Sequence, residues 1–296
     1  MRVVVTGREG QVVRSLIERA GSTDMEILPL GRPELDLAAT TDAIVNTVVA
    51  ARPHVVVSAS AYTQVDKAEA ERELAFAVNE IGAKALARAA REAGAPLIHL
   101  STDYVFDGLK AEPYVEEDPT GPTGVYGASK LAGEQAVLAE HDDSVILRTA
   151  WVYSPFGANF VKTMLRLACD RDEVAVVEDQ RGNPTSALDI ADGVLVIARN
   201  LIATTDPKLR GIFHMSGTGE ASWADFAEGV FGASTLLGGP SAKVRRISTA
   251  EYPTAARRPA NSRLDCSKLS CVHRVRLPDW RRSIDGVVGR LMHSAT

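Results

Sequence analysis

The sequence predicts an α/β fold, specifically a Rossmann-like, doubly wound parallel sheet with a smaller C-terminal α/β domain. Three observations lead to this prediction. Short apolar runs alternate with amphipathic stretches through the first half, a glycine loop follows the first run directly, and the second half is rich in loops. Alternation of this kind is typical of a parallel sheet covered by helices.

Five apolar runs have the length and composition of buried strands. They are RVVVT at 2–6, EILPL at 26–30, HVVVSAS at 54–60, PLIHLS at 96–101 and SVILRT at 144–149. The spacing of apolar residues predicts helices between them, in QVVRSLIERA at 11–20, TTDAIVNTVVAA at 40–51 and ELAFAVNEIGAKALARAAREAG at 73–94. Gly94 stands where a helix is expected to stop. Because connections between parallel strands cross over in the right-handed sense, these elements build one parallel sheet.

The second half is less regular. Gly and Pro cluster in SPFGANF, DQRGNPTS, GGPSAK and ARRPANSR, with helical patterns in ALDIADGVLVIARNL and SWADFAEGVF. We predict a dinucleotide-binding Rossmann domain over residues 1–152, to which residues 186–216 return, and a mainly substrate-binding domain over 153–296. The second domain is expected beside the carboxyl edge of the sheet, where such folds bind ligands.

Composition and charge exclude several classes of protein. The formal net charge of −5 argues against a nucleic-acid binder, which usually needs a concentrated basic face. No apolar run approaches the roughly 18–20 residues of a membrane span, and no secretion signal precedes the first strand. The three cysteines are too few for a disulfide framework, so we predict reduced thiols and no metal site. These observations favour a cytoplasmic protein.

The glycine loop TGREGQVV joins the first strand to the first helix. Gly7 can adopt the conformation of a tight turn, and Gly10 would let the helix start, with Gln11 and Val12, approach a pyrophosphate. Val13 replaces the third glycine that such loops usually have. Because that glycine mainly allows the helix to pack closely on the strand, we expect a modest outward shift of the helix rather than loss of cofactor binding.

The end of the second strand indicates which nicotinamide cofactor fits. An NAD-specific site usually has a carboxylate there, whereas this chain has LPLGR at 28–32 and no acid before Glu34. Arg32 could pair with a 2′-phosphate, or it could be a solvated surface arginine. We predict NADPH, with NADH as the alternative.

The stretch YGASKLAGE at 126–134 has the pattern of a proton-transfer site. Tyr126 and Lys130 are four residues apart and share one face of a helix. An ammonium nearby favours the phenolate, so we expect it to lower the pKa of the phenol from its usual value of about 10. Ser101, Thr102 and Asp103 close the preceding buried strand. A hydroxyl at a strand end followed by Tyr-x-x-x-Lys predicts a site for carbonyl reduction.

These motifs resemble those of the extended short-chain dehydrogenases/reductases and, more narrowly, of the dTDP-4-dehydrorhamnose reductase family. The resemblance runs nearly end to end. It rests on TGREGQVV, SASAYTQVDKAE, STDYVFDG, VYGASKLAGE, RTAWVY, FVKTMLRLA, DQRGNPT and RRPANSRLD. The combination of STDYVFDG, RTAWVY and RPANSRLD is far more specific than the glycine loop.

The resemblance implies an NAD(P)H-dependent oxidoreductase that reduces the C4 keto group of dTDP-4-dehydro-6-deoxy-L-mannose (dTDP-4-dehydrorhamnose) to give dTDP-L-rhamnose. Tyr126 would supply the proton, Thr102 would hold the carbonyl, and Lys130 would hold the nicotinamide ribose and keep Tyr126 acidic. The partner implied is a small-molecule nucleotide sugar. A homodimer is compatible with the sequence and is left open.

Further ligand contacts are carried over from the same resemblance. Those expected at the cofactor are Asp36, Leu37, Ala59, Ala61 and Tyr62. Those expected at the substrate are Val105, Phe106, Trp151, Asn159, Phe160, Pro184, Thr185, Arg258 and Asn261, with Arg258 at the diphosphate. Simpler explanations also exist: a helix cap for Asp36, packing at strand ends and at the domain junction, and a surface ion pair for Arg258.

Two alternative functions keep the same fold. One is another nucleotide-sugar reductase or epimerase, and the other is a non-catalytic, NADP-binding regulatory subunit like the beta subunit of methionine adenosyltransferase. Retention of Thr102, Tyr126 and Lys130 together argues against the regulatory alternative. Some relatives carry a glutamate on the first helix that is linked to a magnesium-bridged dimer. Ser15 occupies that position here, so no such metal is predicted.

Overall fold

The computed structural model describes residues 1–293, and its strands and helices follow the predicted alternation through the first half. The strands are β1 (Arg2–Thr6), β2 (Glu26–Leu30), β3 (Val55–Ser58), β4 (Leu97–Thr102), β5 (Ser144–Thr149), β6 (Val152–Tyr153), β7 (Glu173–Val177), β8 (Arg181–Gly182), β9 (Thr185–Ser186), β10 (Gly211–His214), β11 (Ala221–Ser222), β12 (Lys243–Ile247) and β13 (Asn261–Ser262).

The α-helices are α1 (Gln11–Ala20), α2 (Thr41–Ala50), α3 (Val65–Ala68), α4 (Arg72–Phe76), α5 (Ala83–Glu92), α6 (Val125–Glu140), α7 (Phe160–Ala168), α8 (Ala187–Ala203), α9 (Trp223–Leu236), α10 (Ser267–His273) and α11 (Trp280–His293). None of them, within residues 1–293, combines the length and the apolar character that crossing a membrane requires.

The central sheet has six strands in the order β10-β5-β4-β3-β1-β2, and all of its pairs are parallel. Its inner strands are buried along their length, as in β3 and β5. Helices α1 and α8 pack over one face, while α2, α5 and α6 pack over the other. The predicted doubly wound parallel fold is confirmed.

The second half contributes both to this sheet and to a separate core. Strand β10 pairs with β5 at the edge of the sheet, and α8 packs against α1. Helices α7, α9 and α11 instead surround a second apolar cluster that includes Tyr153, Phe226 and Trp280. Short pairs such as β7 with β12 and β6 with β9 complete this region. The exact domain bounds remain a prediction.

The helix predicted over residues 73–94 is interrupted by a π-helical segment, Ala77–Gly82, between α4 and α5. Asn79 lies in this wider turn and contacts two neighbouring parts of the chain. Its side chain accepts from the backbone N–H of Tyr62 at 2.8 Å and donates to Ser129 Oγ at 2.9 Å. Periodicity alone did not indicate this turn, because Asn79 makes its contacts with residues far away along the chain.

Candidate active site

The three predicted catalytic residues lie on two neighbouring elements. Thr102 is the last residue of β4, and Tyr126 and Lys130 lie in the first turns of α6, which packs on β4 and β5. Glycines make this approach possible: a Cβ atom at Gly127 would collide with the carbonyl oxygen of Tyr104, and one at Gly133 with that of Asn79. The helix can therefore lie close to the carboxyl end of the strand.

Tyr126 is half-buried, and its ring meets that of Tyr104 edge to face at 5.6 Å between centroids. Burial raises the pKa of Tyr126 to about 12, although a hydrogen bond with Thr102 acts in the opposite direction. The pKa of Tyr126 in the protein by itself is therefore raised rather than lowered as expected, because loss of hydration has the largest effect on it. The phenol keeps its proton at neutral pH and is suited to act as an acid.

Thr102 is held by its neighbours. Its hydroxyl donates to Asp103 Oδ1 at 3.0 Å and accepts from the backbone N–H of Tyr104 at 3.2 Å. Asp103 is itself buried, and burial raises its pKa to about 6 despite hydrogen bonds with Ser262 and Thr102. The hydroxyl therefore has a defined direction at the end of β4.

Lys130 is buried, and its ammonium contacts two acceptors on β4. Nζ donates to the carbonyl oxygen of Leu100 at 2.7 Å and lies 3.3 Å from His99 Nε2. Burial lowers the pKa of Lys130 to about 8, while the charge of Glu134 acts to raise it. The amine is therefore still mostly charged at neutral pH.

A buried ion pair that sequence reasoning missed lies behind Lys130. Arg148 on β5 donates to both oxygens of Glu134 on α6, with its shortest contact at 2.7 Å, and both side chains are almost fully buried. Ser101 Oγ donates to the same carboxylate at 2.5 Å. Two signals were available: Glu134 follows Lys130 by four residues on the same helix face, and a charged residue within a buried strand requires a partner.

The glycine loop has the geometry that a pyrophosphate site needs. Gly7 has a φ of +101°, and a Cβ atom there would come within 2.7 Å of Ser60 Oγ. Gly10 is the N-cap of α1 and is exposed, so the first amides of the helix have no side-chain cap. Val13 is buried in the core cluster that also contains Val3 and Val5, so the helix accommodates the missing glycine. Gln11 spans the two halves, since its Oε1 accepts from Ser154 Oγ at 2.8 Å.

Two arginines stand near the end of β2, where one was predicted. Arg32 is exposed. Arg8, which follows Gly7 in the loop, pairs with Glu34 at 2.6 Å and is also exposed. Sequence reasoning missed Arg8, although an arginine inside the glycine loop was itself a signal.

The residues predicted at the adenine have mainly local contacts. Asp36 Oδ1 accepts from the backbone N–H of Ala38 at 2.9 Å, so its carboxylate caps a turn. The N-cap of α2 is Thr40 rather than Asp36. Leu37 is buried, and its side chain packs in the core under α2 and α5.

The loop after β3 is held in place by the hydroxyl of a residue on β1. Thr6 Oγ1 accepts from the backbone N–H groups of Ala59 and Ser60, and Ala61 lies half-buried one residue further on. The hydroxyl of Tyr62 donates to Glu71 at 2.6 Å, and this bond raises the pKa of Tyr62 to about 12. The loop is therefore held at both its start and its end by hydrogen bonds.

An aromatic group lies at the predicted sugar-nucleotide side. Trp151 has a φ of 47°, and its ring stacks on Trp223 at 3.6 Å between centroids. Phe160 lies 4.7 Å from Trp223 by the same measure. All three are half-buried. Sequence reasoning missed Trp223, which begins α9 far from the other two along the chain.

Several residues predicted at the substrate make contacts within the protein itself, and their role at the substrate stays a prediction. Val105 and Phe106 are buried, and the Phe106 ring is covered by Tyr114 at 4.1 Å. Asn159 caps α7 and donates to backbone oxygens of its own loop.

Three more of the residues predicted at the substrate also have contacts within the protein. Pro184 is buried, and the hydroxyl of Thr185 donates to the carbonyl of Asn183. Asn261 is buried and donates to the carbonyl oxygens of Lys110 and Glu112, at 2.8 Å each. The side chains of Thr185 and Asn261 thus help to hold the loops of this region in place.

Arg258 is held in an ion pair with Asp66, at 2.6 Å between Nη2 and Oδ2. Asp66 also accepts from the backbone N–H of Ala256 at 3.0 Å, so the loop before β13 is tied to α3. Nη1 of Arg258 is buried and has no hydrogen-bond partner among the described residues. An arginine with an unused buried N–H is suited to bind an anionic group.

Comparison with known proteins supports the fold and the family of the chain. Fold and site together define the class of protein, a short-chain dehydrogenase/reductase, in which a Rossmann-like sheet carries a threonine next to a Tyr-x-x-x-Lys helix. The chain belongs to the family described as RmlD substrate binding domain, whose model matches residues 1–292.

Similar proteins cover the chain nearly end to end. It is 54% identical over 292 residues to the dTDP-4-dehydrorhamnose reductase of Sinorhizobium fredii, covering 99% of this chain and 98% of that protein. Among solved structures, a dTDP-4-dehydrorhamnose reductase from Clostridium acetobutylicum matches with a TM-score of 0.91, 36% identity and coverage of 99% and 100%. The enzyme of that name from Bacillus anthracis, solved in complex with NADP, matches with a TM-score of 0.89, 37% identity and coverage of 98% and 99%.

Proposed function

We propose that this protein is an NADPH-dependent oxidoreductase that reduces the C4 keto group of dTDP-4-dehydro-6-deoxy-L-mannose, giving dTDP-L-rhamnose. The observation that carries the proposal is the placement of Thr102, Tyr126 and Lys130 at one strand end. Full-length similarity to the Sinorhizobium reductase, 54% identical over 292 residues, supports the choice of substrate.

The chain offers a fitting site for NADPH, which supplies the hydride when it is bound. Gly7 and Gly10 leave the amides at the start of α1 open to a pyrophosphate. Lys130 holds a ribose hydroxyl with the N–H that its two protein acceptors leave unused. Arg32 is exposed beside the end of β2 and pairs with the 2′-phosphate, with Arg8 close by.

Proton transfer comes from Tyr126. Because burial holds its pKa at about 12, the phenol is protonated at neutral pH and donates to the oxygen that forms at C4. The resulting phenolate is stabilised by the charge of Lys130, one helical turn away. Thr102 orients the carbonyl from the end of β4. Positioned groups of this kind typically contribute 10²- to 10⁴-fold to the rate.

The nucleotide end of the substrate is bound by the second half of the chain. Arg258, with its buried and unused Nη1, binds the diphosphate, and the stacked Trp151 and Trp223 provide an aromatic surface for base or sugar. We also propose a cytoplasmic location for this reaction, in line with the biosynthetic substrate.

The direct test is NADPH oxidation followed at 340 nm, with the keto sugar nucleotide made in situ from its precursor. Tyr126→Phe should lower turnover by about 100- to 10,000-fold while cofactor binding, measured by NADPH fluorescence, stays near wild type. Tyr153→Phe is the matched control, because its hydroxyl donates to the carbonyl of Trp280 inside the second core. Turnover by Tyr126→Phe equal to that of the control would reject the assigned role. NADPH binding without any turnover in the wild type would favour the regulatory alternative.

The cofactor preference has its own test. Arg32→Ala should weaken NADPH much more than NADH, because only NADPH carries the phosphate with which a guanidinium pairs. Arg8→Ala serves as the comparison, since Arg8 already has Glu34 as a partner. Equal weakening of both cofactors by Arg32→Ala would reject the contact with the 2′-phosphate.

A further inference from the structure

Three buried polar side chains form a line behind the active site. Ser58 ends β3, His99 lies in the middle of β4, and Lys130 lies on α6. His99 Nδ1 is 2.9 Å from Ser58 Oγ, and His99 Nε2 is 3.3 Å from Lys130 Nζ. Each of the three side chains is at most 2% exposed. The proton-transfer steps described above use Lys130 but leave the other two without a role.

The chemistry of these groups sets the direction of each hydrogen bond. An ammonium can only donate, so His99 Nε2 must accept from Lys130. The ring proton is then on Nδ1 and is donated to Ser58 Oγ. Burial and the charge of Lys130 hold the pKa of His99 well below its ordinary value, so the ring is neutral. The ammonium of Lys130 therefore fixes the tautomer of His99, and Ser58 accepts the remaining ring proton.

We infer that His99 is a positioning residue for Lys130, with Ser58 orienting the imidazole. His99 Nε2 and the carbonyl of Leu100 accept two of the three ammonium N–H groups. The third N–H is thereby directed towards the ribose side of the cofactor. The consequence for the cofactor rests on the proposed function. The contact between His99 and Lys130 is independent of it.

A buried lysine needs such an acceptor because burial alone favours its neutral form. The titratable and charged groups around Nζ come from three elements. They are Glu134 on α6, whose charge acts on Lys130, His99 on β4, which contacts Nζ, and Arg148 on β5, which pairs with Glu134. Glu134 opposes the effect of burial on the pKa of Lys130, but its carboxylate is shared with Arg148 and Ser101. The π-helical segment faces α6 with the uncharged Asn79. Among residues 1–293, His99 is thus the side chain that contacts the ammonium directly.

The test is a titration of Lys130 in the protein without ligands. The chain has eight lysines, so protein labelled with ¹³C at lysine Cε gives few signals, and the one lost in Lys130→Arg identifies Lys130. In the wild type its shift should titrate near pH 8. In His99→Leu the midpoint should fall by about one pH unit, since a hydrogen bond to a charged group is lost. His99→Gln should restore most of the shift, because its amide oxygen can accept at the same place.

His273→Leu is the matched control, because it also removes a buried imidazole but one that lies on α10 beside Phe213. It should leave the Lys130 midpoint unchanged. A midpoint in His99→Leu equal to that of the control would overturn the inference, and so would failure of His99→Gln to differ from His99→Leu. Should His99→Leu not fold, Ser58→Ala makes the same test with a smaller fall, and no fall would overturn it. Because no turnover is measured, absence of reductase activity would reject the proposed function and leave this result unaffected.

Discussion

Removal of Arg148 should destabilise the protein far more than removal of a surface arginine. Arg148 makes three N–H contacts of 3.0, 3.2 and 2.7 Å with the carboxylate of Glu134. Both side chains are at most 2% exposed, so Arg148→Met would leave a buried carboxylate with Ser101 as its remaining partner. Breaking a buried pair in this way typically costs about 3–5 kcal/mol. This is a large part of the 5–15 kcal/mol by which domains are usually stable.

The measurement is urea unfolding followed by circular dichroism, with an unchanged slope m as the condition for comparing midpoints. Arg181→Met is the matched control, because the pair of Arg181 with Glu220 is exposed and such pairs contribute about 0–1 kcal/mol. The double variant Glu134→Met/Arg148→Met should recover most of the loss, since two apolar side chains of similar volume leave no buried carboxylate without its arginine. A loss in Arg148→Met no larger than that in Arg181→Met would refute the reasoning.

Three further predictions concern packing, pH and the substrate loop. Gly133→Ala should lower the free energy of unfolding by about 1–3 kcal/mol or more, because its methyl group would collide with the carbonyl of Asn79. Gly232→Ala, which has open space around it, should instead stabilise its helix slightly. Equal effects of the two variants in urea unfolding would contradict the close contact. The kcat/KM for NADPH oxidation should fall as the pH rises through about 8, because Lys130 loses its charge at this lowered pKa. A profile that stays flat to about pH 10, where a lysine usually titrates, would show that the charge of Lys130 does not control the rate. Asp66→Asn should raise the KM for the nucleotide sugar by about 3- to 10-fold and affect kcat less, because Arg258 loses its charge-assisted bond of 2.6 Å to Asp66. An unchanged or lower KM would show that Asp66 does not position Arg258.

The elements of the sheet could be predicted from sequence because each is a local pattern. Predicted RVVVT and SVILRT coincide with β1 and β5, and predicted QVVRSLIERA coincides with α1. Apolar runs of this length are typical of strands buried on both faces, and helices with one apolar face cover such strands. Where a distant contact altered the backbone, as in the π-helical segment at Asn79, the same reasoning missed it.

In the candidate site, too, local spacing could be predicted from sequence whereas long-range contacts could not. The spacing of Tyr126 and Lys130 on one helix face was visible from the sequence, since it depends only on helix geometry. Asn261 was assigned to the substrate from its motif, but its amide bonds to Lys110 and Glu112, about 150 positions earlier in the chain. Phe106 likewise lies under Tyr114 and Arg148.

The sequence by itself therefore determined the order of strands and helices, the glycine loop and the pair on α6, because these follow from contacts between residues only a few positions apart. Only the tertiary structure decided which polar side chains are hydrogen-bonded within the protein and which keep an unused donor, as Arg258 does. It also decided the protonation of the site, raising the pKa of Tyr126 and lowering that of Lys130. Both properties depend on burial and on partners from distant segments, which no local pattern records.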